Sequence, residues 1–411
     1  MVLINTKNII LEKDVFLRSE IEKRMAEFGF NSLSKFELFI WDLEIFLQLQ
    51  KKLGDNIILK GGAATQFYVP MASQRTSVDI DMICQADRDE VHQIIAEIED
   101  EFDGVEDYFK FRYYVPKNPK LGLNALETYY QTVPSICSEK ELYASKGKQE
   151  VKIEFNFSKD QYDINKIKEP KLFALETTKE FNILAFETLF ADKLTTLGPN
   201  TIGISDERSD EQVKQIYDVI TLFISNVEQV LNHKEQIRKI YERLAKVECQ
   251  IHNIAYDEQI LFEDMKGLIN RVKNIESDRP LLQRAKDFQA LYLRKSVNRD
   301  KTEWAIVGYQ LDLLADFIFS DDMKITQFRE FEQLIGRLKF ELIQGAERQR
   351  LIREARSVLE ANFKSTKGLS QDLFRKRIDR ILWELAVVVD IPQILHVLGE
   401  TSMDDLNFKR V

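Results

Sequence analysis

Cysteine is scarce in this chain. Three residues, Cys84, Cys137 and Cys249, are scattered through 411 positions and form no pairable spacing, which argues against a disulfide framework and for a reducing compartment. No apolar run approaches the roughly 18 residues of a membrane span, and Met1 to Glu12 lacks the architecture of a signal peptide. The expectation is a soluble, cytoplasmic chain with no membrane partner. An excess of positive charge is also missing. With 58 basic against 68 acidic residues the net charge is -10, so the chain as a whole is no generic polyanion binder, and any nucleic-acid contact falls to local patches. From about residue 230 onward glycine is sparse and proline nearly absent. Charged helical sequence takes their place, without a repeat of fixed period.

A chain of this length suggests two domains, and an apolar content of 44% is ample for folded cores. The informative stretch is Lys60 to Met82, KGGAATQFYVPMASQRTSVDIDM. Asn56 to Leu59 is a short apolar run closed by Gly61-Gly62, and Ala63 to Tyr68 has helical composition, with Thr65 facing the turn. Adjacent glycines let the backbone approach a phosphate, towards which the amides of a following helix point. Val78, Ile80 and Met82 alternate with Asp79 and Asp81. That is a half-buried strand with both carboxylates on one face, about 6 to 7 Å apart at Cα. Paired carboxylates beside a phosphate-binding turn suit Mg²⁺, which takes oxygen ligands and keeps substrate phosphates in its shell. The bland alternative is a polar strand face beside a tight turn.

Lys60-Gly61-Gly62, Arg75, Ser77 and Asp79-Ile80-Asp81 together resemble the signature of the AbiEii family of nucleotidyltransferase-like toxins, a branch of the DNA polymerase β-type nucleotidyltransferases. The resemblance extends over roughly residues 15 to 225. It implies a third carboxylate from a neighbouring strand. In Glu150 to Phe157 the buried face is Val151, Ile153, Phe155 and Phe157, so Lys152, Glu154 and Asn156 share the other, and Glu154 is the acidic residue within it. Glu154 would take the acceptor hydroxyl's proton or complete a metal shell; the alternative is an exposed ion pair with Lys152. In Ala185 to Leu197, Lys193 is spaced by four from Leu189 and Leu197, so it points inward. It either neutralises a triphosphate or snorkels at the stripe's edge. The family's later motif, a helical Lys followed by a helix bearing Arg or Lys and Asp, matches Lys193, Arg208, Lys214 and Asp218. Surface charge is the alternative for Arg208 and Lys214.

The remaining segments are less specific. Residues 14 to 53 read as two helices, the second capped by Ser32 or Ser34 and striped by Phe36, Phe39, Leu43, Phe46 and Leu47. Asp87 to Phe102 reads as a helix. Tyr108 to Val115 and Ala125 to Val133 read as strands crowded with Phe and Tyr, which serve as core or as a stacking platform for bases. Trp304, Val307, Leu311, Leu314, Phe317 and Ile318 form a helical stripe typical of a bundle. Gly345 to Arg380 carries ten Lys or Arg against five acids, either an RNA-backbone track or a solvated helix face.

The expected architecture is α/β (α+β): a nucleotidyltransferase domain over 1–230, with a mixed sheet, flanking helices and N-terminal helices, then an all-α bundle over 231–411. The expected reaction is transfer of a nucleoside monophosphate from an NTP to an acceptor hydroxyl, releasing pyrophosphate. Asp79 and Asp81 hold Mg²⁺. Lys60, Gly61, Gly62, Thr65, Arg75 and Ser77 contact the NTP, Lys193 balances its charge, and Glu154 or Asp218 serves the acceptor. The resemblance further implies a toxin of a type IV toxin-antitoxin or phage-defence (abortive infection) system acting on tRNA 3′ ends, with a separately encoded antitoxin. Rival readings are an enzyme modifying a protein or a small molecule such as an antibiotic, and a catalytically idle scaffold that binds a partner or RNA.

Overall fold

The computed structural model describes residues 8–102, 109–114, 126–135, 147–320, 322–339 and 346–399. Cys137, Gly345 and the segment ends at Tyr108, Val115 and Ala125 lie outside the described residues. Cys84 and Cys249 are buried free thiols, and no helix among the described residues is long and apolar enough to cross a membrane.

The first half is built on a mixed sheet of seven strands: β1 (Ile57–Lys60), β2 (Asp79–Cys84), β3 (Phe111–Tyr114), β4 (Leu126–Ser135), β5 (Gly147–Phe157), β6 (Ile164–Lys168) and β7 (Glu180–Leu184). Their order is β3-β4-β5-β2-β1-β7-β6. β2 lies at the centre, antiparallel to β1 and parallel to β5. Helices α1 (Arg18–Phe28), α2 (Leu33–Leu53), α3 (Gly61–Thr65) and α4 (Arg88–Glu101) accompany it. Gly29, at φ +75°, ends α1, and the Ser32 hydroxyl accepts the Lys35 amide to cap α2.

The apolar stripe predicted for α2 understates its burial. Every residue from Phe36 to Leu49 is buried, because the helix is covered on both sides. Sheet residues such as Ile80, Met82, Ile153 and Phe155 share its core, as do Ile9, Leu11, Val15 and Phe16 from the N-terminal segment. Trp41 packs on Phe16 at 4.3 Å between ring centroids, and Phe39 stacks on Phe173 at 5.3 Å.

Beyond β7 the chain is helical, first in α5 (Phe186–Thr195), α6 (Ser209–Ser225) and α7 (Val227–Asn232) and then, as the texture from about residue 230 predicts, in α8 (Lys234–Ile251), α9 (Glu258–Lys273), α10 (Arg279–Tyr292), α11 (Lys301–Ser320), α12 (Phe328–Lys339), α13 (Ala346–Phe363), α14 (Ile378–Val388) and α15 (Ile391–Gly399). The stripe from Trp304 to Ile318 is buried. α5 and α6 contribute Phe186, Phe190, Leu194, Ile216, Val219 and Phe223 to the core of this helical half, while Leu189 of α5 belongs to the sheet's core. The two cores therefore meet along α5, and the cleft described below opens between them.

α11 runs against α9 with Gly308 at the crossing, where an added Cβ would lie 2.4 Å from the Lys273 backbone nitrogen. Backbone cannot yield as a flexible side chain can, so Gly308→Ala is expected to destabilise the protein by about 1–3 kcal/mol. Chemical denaturation measures this, and overlapping unfolding midpoints for variant and wild type would count against the close packing.

Candidate active site

Strand register brings the acidic residues together. Lys60 of β1 is paired with Asp81, while Asp79 and Asp81 lie opposite Lys152 and Glu154 of β5. Paired residues share a face of a sheet, so Lys60, Asp79, Asp81, Lys152 and Glu154 all line one cleft of about 450 Å³. Its opposite wall comes from α5, α6 and α8, with Tyr292 of α10 at one side.

Gly61 and Gly62 open α3 itself, so the helix begins two residues earlier than composition suggested and ends at Thr65. Their role is local. Gly61 has φ +70°, and a Cβ there would sit 2.1 Å from the Asp81 Oδ2; at Gly62 it would sit 2.7 Å from Arg75 Nη2 and 3.0 Å from the Ser77 hydroxyl. The glycines thus admit a carboxylate and a guanidinium against the turn. The Thr65 hydroxyl donates to the Gly61 carbonyl at 3.0 Å, so it braces the turn from beneath and does not line the cleft.

Asp81 can hydrogen-bond to its neighbour Glu154 only as the neutral acid. Burial, and then repulsion by Glu154, push the Asp81 carboxyl up to about 7, against the pull of Lys60 and Lys193. Glu154 also pairs with Lys152 at 2.7 Å. Burial disfavours charge on Lys60, but Asp192 at 3.0 Å and Asp81 outweigh it and hold its pKa above the ordinary value. Two crowded carboxyls that hold a proton in place of a cation, with Asp79 beside them, form an oxygen donor set that fits a divalent metal. Among the described residues no group of three or more His, Cys, Asp and Glu forms a ready-made cage.

Asp218 lies behind the cleft wall, 1% exposed. Arg75 Nε and Nη2 donate to its two oxygens, each at 2.7 Å, and Lys193 Nζ donates at 2.8 Å. Burial raises its pKa, but Arg75 and Lys193 prevail and keep it below the usual carboxylate range. Lys193, 3% exposed, also donates to Gln215, and unlike Asp218 it lines the cleft. The inward reading of Lys193 thus corresponds to a charge clamped by α6. Arg208 is at the rim, paired with Glu211 of the next turn. Lys214 lies over the Tyr292 ring, 4.4 Å from its centroid, and burial lowers its pKa although Asp79 opposes the shift.

Several residues at the site had no local signal in the sequence. Asp192, Glu248 and Tyr292 reach it from helices far along the chain. Asp42 of α2 is buried, and among the described residues neither carboxyl oxygen has a hydrogen-bond partner. Burial, then Asp79 and Asp81, raise its pKa well above the ordinary value, which favours its neutral form beside the charged cluster. The basic segment near the C-terminus is largely paired within the protein. Arg350 meets Glu354, Arg356 donates to the Lys376 carbonyl, Arg377 meets Asp300 and Asp379, and Arg380 lies near Glu276 and Glu384.

The family model described as nucleotidyl transferase AbiEii toxin, type IV TA system, matches residues 45–295, more than half of the chain. The match runs past residue 225 through α10, consistent with the core that α5 and α6 share with α8, α9 and α10. No curated protein matches the sequence significantly. Among solved structures, JHP933 from Helicobacter pylori aligns at 13% identity over 70% of this chain and 98% of its own, with a TM-score of 0.35. MenT4, a nucleotidyltransferase toxin from Mycobacterium tuberculosis, aligns at 13% identity over 76% of this chain and 96% of its own, with a TM-score of 0.36.

Two outcomes are expected from this geometry. Asp218→Asn keeps the side chain's shape but leaves two buried cations without a counter-charge, which should cost about 3–5 kcal/mol of stability. Because the folded pKa of Asp218 is depressed, that contribution is present above its unfolded pKa and is lost as pH falls through the folded value, so variant and wild-type denaturation curves should converge in acid. For Asp81 the sign is reversed. The metal-free folded state retains a proton that the unfolded chain releases, so stability should fall from about pH 4 to about pH 7 and then level off. Asp81→Asn should lack that slope, and superimposable pH–stability profiles in chelator would refute the retained proton.

Proposed function

The chain belongs to the AbiEii family of nucleotidyl transferase toxins of type IV toxin-antitoxin systems, and from that membership we propose that it transfers a nucleoside monophosphate from an NTP to the 3′ hydroxyl of an RNA, of which a tRNA is the favoured case. The observation that carries the reading is the row Lys60, Asp81 and Glu154 across three adjacent strands, with Asp79 beside it and Gly61 pressed against Asp81. It supports a division of labour along the sheet.

On the β1 side, Lys60, Arg75, Ser77 and the amides of Gly61 and Gly62 receive the triphosphate, and Lys193 adds positive charge from α5. Arg75 and Lys193 are themselves fixed by Asp218, which makes Asp218 a positioning residue in this scheme. On the β5 side, Glu154 takes the proton of the acceptor hydroxyl. The acceptor oxygen forms a bond to the α-phosphorus, the bond from that phosphorus to the bridging oxygen breaks, and pyrophosphate leaves with the electron pair. Asp79 and Asp81 would hold Mg²⁺, which supplies charge neutralisation at the phosphates. The charge inventory favours such an ion: seven basic and seven acidic side chains line the cleft, leaving no cationic surplus for a triphosphate.

An antitoxin partner follows from the type IV system, and we place the activity in phage defence within the cytoplasm. Incubation with each labelled NTP, Mg²⁺ and total cellular RNA tests the scheme: label should enter RNA with wild-type protein. Asp81→Ala should abolish transfer and growth toxicity while retaining the wild-type circular-dichroism spectrum. Wild-type transfer by that variant would remove the carboxylates from the mechanism, and label entering protein or small molecules alone would remove RNA as acceptor.

A further inference from the structure

The sheet face that carries the carboxylates does not end at Glu154. β4 is antiparallel to β5 and β3 to β4, and their registers continue the same rows. One row runs Asp81, Glu154, Thr128, Tyr114; the next runs Asp79, Lys152, Tyr130, Arg112. The alternate residues of β4, Glu127, Tyr129, Gln131 and Val133, are buried. Tyr129 and Val133 share the core of α2, and Glu127 is held by Arg88 and His92 of α4. Thr128, itself buried, and the half-buried Tyr130 therefore lie on the side of the sheet that carries Glu154.

What this face displays is chemically distinctive. The Arg112 guanidinium lies over the Tyr130 ring, 4.8 Å from its centroid, and also meets the exposed Glu150 carboxylate at 3.1 Å. Tyr114 meets Tyr130 edge to face at 5.9 Å. Thr128 lies 3.5 Å from Glu154, so the aromatic pair is joined to the candidate proton acceptor without a break. Tyr114 and Tyr130 are half-buried and Arg112 is exposed. Two rings, a stacked guanidinium and a lysine make a surface for unpaired bases and their phosphates, since every base has a face that stacks on an aromatic ring or a guanidinium plane. Tyr114 is two strand spacings, about 10 Å, from Glu154. A chain whose last hydroxyl is at Glu154 would cross these residues with its terminal nucleotides.

We propose that the face formed by β5, β4 and β3 is the acceptor track of the enzyme. It holds a single-stranded RNA 3′ end, with terminal bases stacked on Tyr130 and Tyr114 and phosphates met by Arg112 and Lys152. The inference rests on the RNA-acceptor reading above and gives that acceptor its direction: it approaches from the β3 edge, opposite the glycine turn that receives the triphosphate.

Binding and chemistry are tested separately. A short 5′-labelled single-stranded oligoribonucleotide with a free 3′ hydroxyl is titrated with the full chain by fluorescence anisotropy, and KM for RNA is measured in the transfer assay. Tyr114→Ala/Tyr130→Ala should weaken RNA binding by about tenfold for each ring removed and raise KM for RNA, with NTP affinity unchanged. Tyr114→Phe/Tyr130→Phe, which keeps both rings, should bind as wild type does. If the double alanine variant fails to fold, Tyr130→Leu keeps the strand's bulk without a ring and should show the loss for one ring. Unchanged RNA affinity and KM in the alanine or leucine variants, while wild type binds and extends RNA, would overturn the track alone. Wild type that neither binds nor extends any RNA would overturn the RNA reading and the track with it.

Discussion

A buried ion cluster, Arg75 with Asp218 and Lys193, ties the two halves of this protein together. Arg75 belongs to the loop before β2, Lys193 to α5 and Asp218 to α6, and all three are almost fully buried. Charges removed from water are costly unless each is paired with good geometry, and here the carboxylate receives a two-pronged guanidinium and an ammonium. Neighbouring bonds hold the same loop. The Thr76 amide donates to the Tyr292 carbonyl at the end of α10, and the Tyr217 hydroxyl donates to the Ser73 carbonyl. Because this loop leads directly into Asp79, the helical half fixes where the central strand begins and how its carboxylates meet the cleft.

The sheet then imposes an order on the proposed chemistry. β2 is flanked by β1, which ends in the glycine turn, and by β5, which carries Glu154. In the proposed scheme phosphate binding and acceptor activation fall on opposite sides of one strand. The crowding this creates is visible in Asp81, whose proton is retained to about neutral pH because burial and Glu154 disfavour a second negative charge. A divalent ion would relieve the crowding that the proton relieves in its absence.

A count of charges along the sequence does not show which basic residues are already paired within the protein. The segment from Gly345 to Arg380 is basic by count, yet Arg350 meets Glu354, Arg377 meets Asp300 and Asp379, and Arg356 donates to the Lys376 carbonyl. A surplus of charge in one segment says nothing about partners supplied from other helices. Conversely, Arg112 and Lys152 stand out in no local count and acquire meaning only from the strands beside them.

The sequence by itself determined the class of elements and the site's nucleus. Alternation placed Asp79 and Asp81 on one strand face, spacing turned Lys193 inward, and the paired glycines marked a turn that no side chain could occupy. These are features of local period and backbone freedom, which residues a few positions apart encode. The tertiary structure decided everything that depends on strand order and helix packing. It put Glu154 beside Asp81 and made Asp218 the partner of Arg75, 143 residues away. It also buried α2 on all sides and carried the carboxylate rows on to Tyr114 and Tyr130. No periodicity reveals such neighbours, because register between strands and contacts between distant helices are set by how whole cores fill space.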